Sequence, residues 1–288
     1  AEQELKDIPV KKELTKVPFY PQNDFQCGPA ALAMILNSSG VSITPDILID
    51  QVYLPSKKGT LQVEMLAAVR RQGLLAFKLS PKLTDLLSEI AAGNPVIVLE
   101  DYGYGLGPVS HYAVAIGYDL EEKEIIRRSG THRREIMPFI AFEYLWKTEG
   151  YWAMIAVPPN EIPETATENS YAKAILDLEE SGHIKSAQIA YGTMNERWPN
   201  NLIGLMGLGN TAYALKELEN AKNAFLKASQ VHPESSAAFN NLATVLAELN
   251  QFDEAIIAAN NAVNLGGPLL KKANQTLKNI ELQMFHKK

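Results

Sequence analysis

Cysteine chemistry on a carbonyl needs a thiol that attacks, an imidazole that takes its proton, and a donor for the oxyanion that forms. The chain of 288 residues has one cysteine, Cys27, and five histidines. Cys27 opens the run Cys-Gly-Pro-Ala-Ala-Leu-Ala-Met-Ile-Leu-Asn. That run reads as a helix apolar on nearly every side, hence a buried one. Gly28-Pro29 stands at its start, where proline removes no intrahelical donor. Unpaired N–H groups at a helix start favour a thiolate, so this placement predicts a lowered pKa for Cys27. Of the histidines, His132 falls in a charged loop, and His183, His232 and His286 fall in the helical second half. Only His111 leads an apolar strand, His-Tyr-Ala-Val-Ala-Ile-Gly-Tyr, which would give a base a rigid mount. For the oxyanion, the Cys27 N–H is one candidate donor. The Gln22 side chain on the incoming loop is a second, with Gln26 as the alternative.

The elements that would position these residues follow from pattern. Thr44-Pro45 opens a second helix, Thr60 caps a third that stops at Gly73, and Ser80-Pro81 opens a fourth that ends at Gly93. Short strands are predicted at Leu74 to Leu79, Pro95 to Leu99, His111 to Tyr118, Glu124 to Arg128 and Tyr151 to Val157, with a helix from Pro138 to Trp146. Helices first and an antiparallel sheet after them is an α+β order. Arg127-Arg128 and Arg133-Arg134 read as solvated strand or loop positions. Asp101-Tyr-Gly-Tyr-Gly-Leu-Gly-Pro, just before His111, reads as a mobile substrate-contacting loop, or else as a plain turn.

Near residue 160 the rhythm changes. The stretch 158–167, rich in proline and polar residues, reads as a linker between a first domain, 1–157, and a helical one, 168–288. In the second half Pro199 and Pro233 lie 34 residues apart, as do Ala187, Ala221 and Ala255, and Tyr191, Phe225 and Ala259. Tyr171, Leu205 and Phe239 repeat at the same interval. That period resembles the helix–turn–helix unit of tetratricopeptide repeats. It predicts three units, 168–201, 202–235 and 236–269, and a capping helix from Leu269 to Phe285. Such arrays receive a peptide or protein partner on their concave face.

The block Pro21-Gln-Asn-Asp-Phe-Gln-Cys-Gly-Pro-Ala-Ala-Leu-Ala-Met-Ile-Leu is followed about 80 residues later by His-Tyr-Ala-Val-Ala-Ile-Gly-Tyr-Asp. Together they resemble the bacteriocin-processing, double-glycine peptidase family and its free-standing relatives. The resemblance spans roughly residues 15–157. It implies a papain-like cysteine peptidase fold in which Gln22 helps bind the oxyanion, Cys27 attacks and His111 is the base. The family usually carries an Asp, often before Pro, on the strand after the histidine strand. Here that stretch reads Glu124-Ile-Ile-Arg-Arg-Ser-Gly-Thr-His. A hairpin turning near Glu121 would set Ser129 to Thr131 opposite His111, with Ser129 the leading imidazole partner. Asp119 falls at the turn, on the far end. A dyad with a polar helper predicts reduced or conditional activity.

Charge and composition narrow the remaining classes. A net charge of −6 argues against nucleic acid as a partner. The longest apolar run, Ala30 to Leu36, is far below the roughly 20 residues of a spanning helix. One cysteine allows no internal disulfide. No metal-ligand motif and no phosphate-binding glycine loop is present, so neither metal nor cofactor is expected. Free-standing relatives with helical repeats tend to be bacterial and exported. With a chain that starts without Met, this points to the periplasm or cell envelope with a leader removed, the alternative being the cytoplasm. The function expected is peptide-bond hydrolysis at a Cys–His site, with the repeats recruiting a substrate or partner protein. The alternatives are a peptidase-fold binding module that cuts nothing, and acyl transfer or side-chain amide hydrolysis at the same site.

Overall fold

The computed structural model describes residues 7–21, 26–57, 59–103 and 109–287. Every residue from Gly28 to Leu36 is buried, so helix α1 (Cys27–Ser38) has no polar face in its first three turns. It lies on a sheet whose strands alternate side chains between two faces. From β5 (Val96–Asp101), β6 (Ser110–Asp119), β7 (Glu124–Ser129) and β9 (Ala153–Val157), the side chains of Ile97, Leu99, Val114, Ile126 and Met154 form one core with Leu32, Ile35 and Leu36 of α1.

The sheet is antiparallel, in the order β4-β9-β5-β6-β7-β8, where β4 is Leu75–Lys78 and β8 is His132–Pro138. β1 (Lys11–Glu13) pairs with the far end of β6, beyond the reach of β5. Around it lie α2 (Pro45–Val52), α3 (Gln62–Arg71), α4 (Leu83–Ala92) and α5 (Phe139–Thr148), with a small ribbon of β2 (Tyr53–Leu54) and β3 (Gly59–Thr60). The predicted helices and the five predicted strands are all present, their ends shifted by at most two residues.

Three sequence expectations are corrected here. Thr60 does not cap α3: it pairs with Tyr53 in β3, and the helix starts after Leu61 without a side-chain cap. His132 is the first residue of β8 rather than a loop residue. That strand's mostly exposed side chains gave no apolar alternation to reveal it. Arg127 and Arg128 are buried, at 0% and 2% exposure, while Arg133 and Arg134 are exposed. Arg127 is tolerated inside because Glu100 and Glu135 pair with it, and Arg128 because it donates to the carbonyls of Val17 and Arg133.

The close approach of α1 to β3 depends on one glycine. A Cβ added at Gly28 would sit 2.5 Å from Thr60 Oγ1. Gly28→Ala is therefore expected to lower the stability of this unit by about 1–3 kcal/mol through overpacking. Guanidinium unfolding followed by the fluorescence of Trp146 and Trp152 measures it. An unchanged midpoint would mean that Thr60 turns aside without cost.

The chain divides into two compact units, the first ending at Ser181 and the second starting at Gly182. In the first, the stretch 158–167 is tied down: Thr165 donates from its N and its Oγ1 to the buried Glu89 carboxylate, at 2.8 and 2.7 Å. α6 (Glu168–Glu180) follows, opened by a Thr167–Ser170 capping box, and packs on β4. Arg70 of α3 reaches Asp177 of α6 at 2.7 Å.

The second unit is all helical: α7 (Ile184–Arg197), α8 (Leu202–Ala214), α9 (Leu218–Val231), α10 (Ser236–Glu248), α11 (Phe252–Leu265) and α12 (Leu270–Lys287). Ala187, Ala221 and Ala255, which carry the 34-residue interval, are all fully buried. Large residues fill what the small ones leave open. A Cβ at Gly207 would lie 2.3 Å from the Tyr191 ring, so the bare glycine lets that ring lie against α8.

Candidate active site

Cys27 is the first residue of α1 and is partly buried. Its thiol is pushed above its ordinary pKa, because burial outweighs the pull of the backbone N–H groups of Tyr112, Gly28 and Cys27. The expectation of a lowered value is therefore corrected. The helix start does supply donors to the sulfur, but the apolar packing around α1 disfavours its charge more strongly. The Tyr112 contact brings the sulfur to the residue next to His111. Among the described residues, Cys27 and His111 share no direct hydrogen bond.

His111 is the second residue of β6 and faces Glu100 across the β5–β6 ladder. Val114 pairs with Arg128, and continuing that register places Ser129 opposite Ala113, on the His111 face and diagonal to it. The side chains meet: His111 Nε2 lies 3.1 Å from Ser129 Oγ. This leaves Nδ1 for the thiol. Burial, and then the Arg127 charge, push the imidazole down to about 4, so it is neutral at pH 7. Thiol and imidazole thus rest as a neutral pair.

Asp119 lies at the far end of β6, where it binds Lys11 and the backbone N–H groups of Glu121 and Glu122, and it takes no part in the site. Gln22 lies outside the described residues. Gln26 is the residue before α1, and Ala30 N donates to its carbonyl. Most of the glycine-rich loop before His111, residues 104–108, is likewise outside them. Its neck is described: Gly103 N and Val109 N both donate to Asp101 Oδ1 at 2.8 Å.

Sequence reasoning missed the groups behind the histidine. Buried Glu100 and Arg127 and half-buried Tyr102 form a polar cluster. Arg127 Nη1 donates to Glu100 Oε2, the Tyr102 hydroxyl donates to the same oxygen at 3.0 Å, and the guanidinium lies 5.8 Å from the Tyr102 ring centre. The Tyr102 ring stands edge-on to His111 at 5.7 Å and 79°. The signal was present: the acidic pair Glu100-Asp101 ends the apolar run Val-Ile-Val-Leu, and two Arg follow Ile125-Ile126. Opposite charges in neighbouring apolar strands invite a buried pair.

Residues 14–154 match the sequence model described as the Peptidase_C39 like family. Over that stretch, just under half of its length, the chain is similar to this family. A crystal structure from Bacillus anthracis, described as C39-like, is 21% identical, with a TM-score of 0.45, and the match covers 54% of this chain and 99% of that one. Two helical structures also match, both with a TM-score of 0.39. The TPR2B domain of yeast Sti1, in its Hsp70 complex, is 17% identical over 41% of this chain and 99% of its own. The Yersinia enterocolitica chaperone SycD, with a peptide of the translocator YopD, is 15% identical over 42% of this chain and 98% of its own. No curated protein matches the chain. Among the described residues no helix is long and apolar enough to cross a membrane, and no group of three His, Cys, Asp or Glu side chains could hold a metal ion.

Proposed function

We propose that the chain is a cysteine peptidase that hydrolyses peptide bonds at Cys27 and His111, with its helical repeats recruiting a protein partner or substrate. One observation carries the reading. The thiol at a helix start bonds to the backbone beside a histidine whose far nitrogen is already held, by Ser129 at 3.1 Å. With Nε2 donating to Ser129, the free Nδ1 accepts the thiol proton as sulfur attacks the peptide carbonyl. The Cys27 N–H, with Gln22 as second donor, receives the oxyanion. Collapse of the intermediate breaks the C–N bond, the imidazolium returns its proton to the leaving amine, and a thioester remains. Water, deprotonated by the same imidazole, cleaves the thioester and restores the thiol. The repeats add a surface for a protein partner, since arrays of paired helices offer an extended concave face.

A second reading has its own support. A neutral resting pair and a serine where the family usually has an Asp suit a peptidase fold that binds peptides without cutting them. Because Cys27 is the chain's one cysteine, alkylation decides cleanly. Iodoacetamide is expected to label Cys27 stoichiometrically, faster as pH rises, and much more slowly in His111→Ala. Equal, slow labelling of both proteins would remove the peptidase reading and leave the binding module. Mass spectrometry of a peptide library incubated with the protein then separates hydrolysis from acyl transfer.

A further inference from the structure

Buried ion pairs seldom repay their desolvation, and hydrophobic replacements of similar volume are often as stable or more so. The Glu100–Arg127 pair is an expensive example. Both side chains are essentially inaccessible, and among the described residues Glu100 Oε1 and Arg127 Nε have no hydrogen-bond partner. Packing alone gives little reason for it. What the pair does hold is Tyr102: the hydroxyl donates to the carboxylate, and the guanidinium faces the ring. Tyr102 in turn meets His111 edge to ring, while Glu100 stands directly across the ladder from it.

We propose that Tyr102 is a positioning residue for the His111 imidazole, anchored by the buried Glu100–Arg127 pair and working with Ser129 in place of the usual strand carboxylate. The proposal rests on the peptidase reading of the site. Ser129 fixes one nitrogen, but a single hydroxyl leaves the ring free to swing about that bond. The edge of Tyr102 closes the swing from the side. Burial, and then the charge of Glu100, hold the Tyr102 phenol far above its ordinary pKa, so its hydroxyl remains a donor and the anchor persists at alkaline pH.

The charge around the ring is mixed. Burial first, and then the Arg127 cation, keep the imidazole neutral; Glu100 and Glu135 pair with Arg127, Glu149 binds Ser110, and Cys27 is the titrating partner. The anchor therefore gives precise geometry without raising the basicity of His111, as a carboxylate would.

The full chain with Tyr102→Phe, which keeps the ring and loses the anchor, and with Tyr102→Leu, which loses both, tests this. Ring signals of His111 followed by NMR against pH give the first readout. The wild type should show one tautomer, with the proton on Nε2, and a midpoint near its lowered value of about 4. Tyr102→Leu should show mixed tautomers and a higher midpoint, with Tyr102→Phe between. The second readout is hydrolysis of the best peptide from the library. kcat should fall about 10- to 100-fold in Tyr102→Leu with KM unchanged, the effect of a misaligned group. A Tyr102→Leu protein with the wild-type tautomer and midpoint would overturn the proposal. Failure of the peptidase reading would appear separately, as His111-independent labelling of Cys27, with the ring readout still deciding whether Tyr102 holds the imidazole.

Discussion

Alanine at His111 is expected to cut peptide hydrolysis by about 10³- to 10⁴-fold, since a thiol with a raised pKa cannot ionise without a base beside it. The pH dependence should differ from that of a site with a preformed ion pair. His111 is a base only while unprotonated, so the acidic limb of kcat/KM should fall near pH 4, where the buried ring takes up its proton. Above it, activity should hold or climb as the thiol ionises, with no loss near neutrality from a deprotonating imidazolium. The same ring gives a stability effect of definite sign. Its folded pKa is depressed below the ordinary 6.5. The stability it contributes is therefore fully present above about pH 6.5 and is lost as pH falls toward 4, where the unfolded chain binds the extra proton. His111→Gln should flatten that portion of the profile. Urea unfolding at a series of pH values, beside rates for the library peptide, measures both. A neutral-pH maximum with a falling alkaline limb, or a His111→Ala protein of wild-type rate, would contradict the neutral-pair mechanism.

Arginine 127 should matter most to stability. Arg127→Met leaves Glu100 buried without its cation, and removal of one member of a buried pair typically costs about 3–5 kcal/mol. Glu135 has a third of its side chain exposed and can return to water, so the cost centres on Glu100. The double variant Glu100→Leu/Arg127→Met should recover most of the loss. Guanidinium unfolding of the wild type, Arg127→Met, Glu100→Leu and the double variant closes the cycle. If the single and double variants proved equally unstable, the pair would owe its place to shape rather than charge.

How much of this was legible follows from what each residue touches. The α1 run could be read because an all-apolar helix has one place to go, and the strands because Val, Ile and Leu cluster between turn residues. The meeting of His111 and Ser129 followed from counting a hairpin. The bulge between Ala115 and Gly117, which lies between the turn and the site, shifts the count by one, and Ser129 falls opposite Ala113, two residues from the expected place, and reaches His111 diagonally. Three kinds of fact stayed hidden. The thiol's raised pKa depends on packing from distant elements, which local spacing does not report. The burial of Arg127 and Arg128 needed partners about 27 and 111 residues away in sequence, at Glu100 and Val17. β8 lies at the sheet's edge with exposed charges, so its composition is that of a loop.

The position of α6 carries a consequence for how such a chain can be taken apart or recombined. By its 34-residue register Tyr171 belongs to the repeats, yet the helix that bears it is bolted by Arg70 and Asp177 to the sheet-bearing unit. The seam written in the sequence and the seam in the folded chain thus differ by about one helix. A protease or a designer who severs the chain in the proline-rich stretch would strip a wall from β4 and send an orphan helix away with the helical unit, whereas a break just past Ser181 would leave the sheet-bearing half clothed.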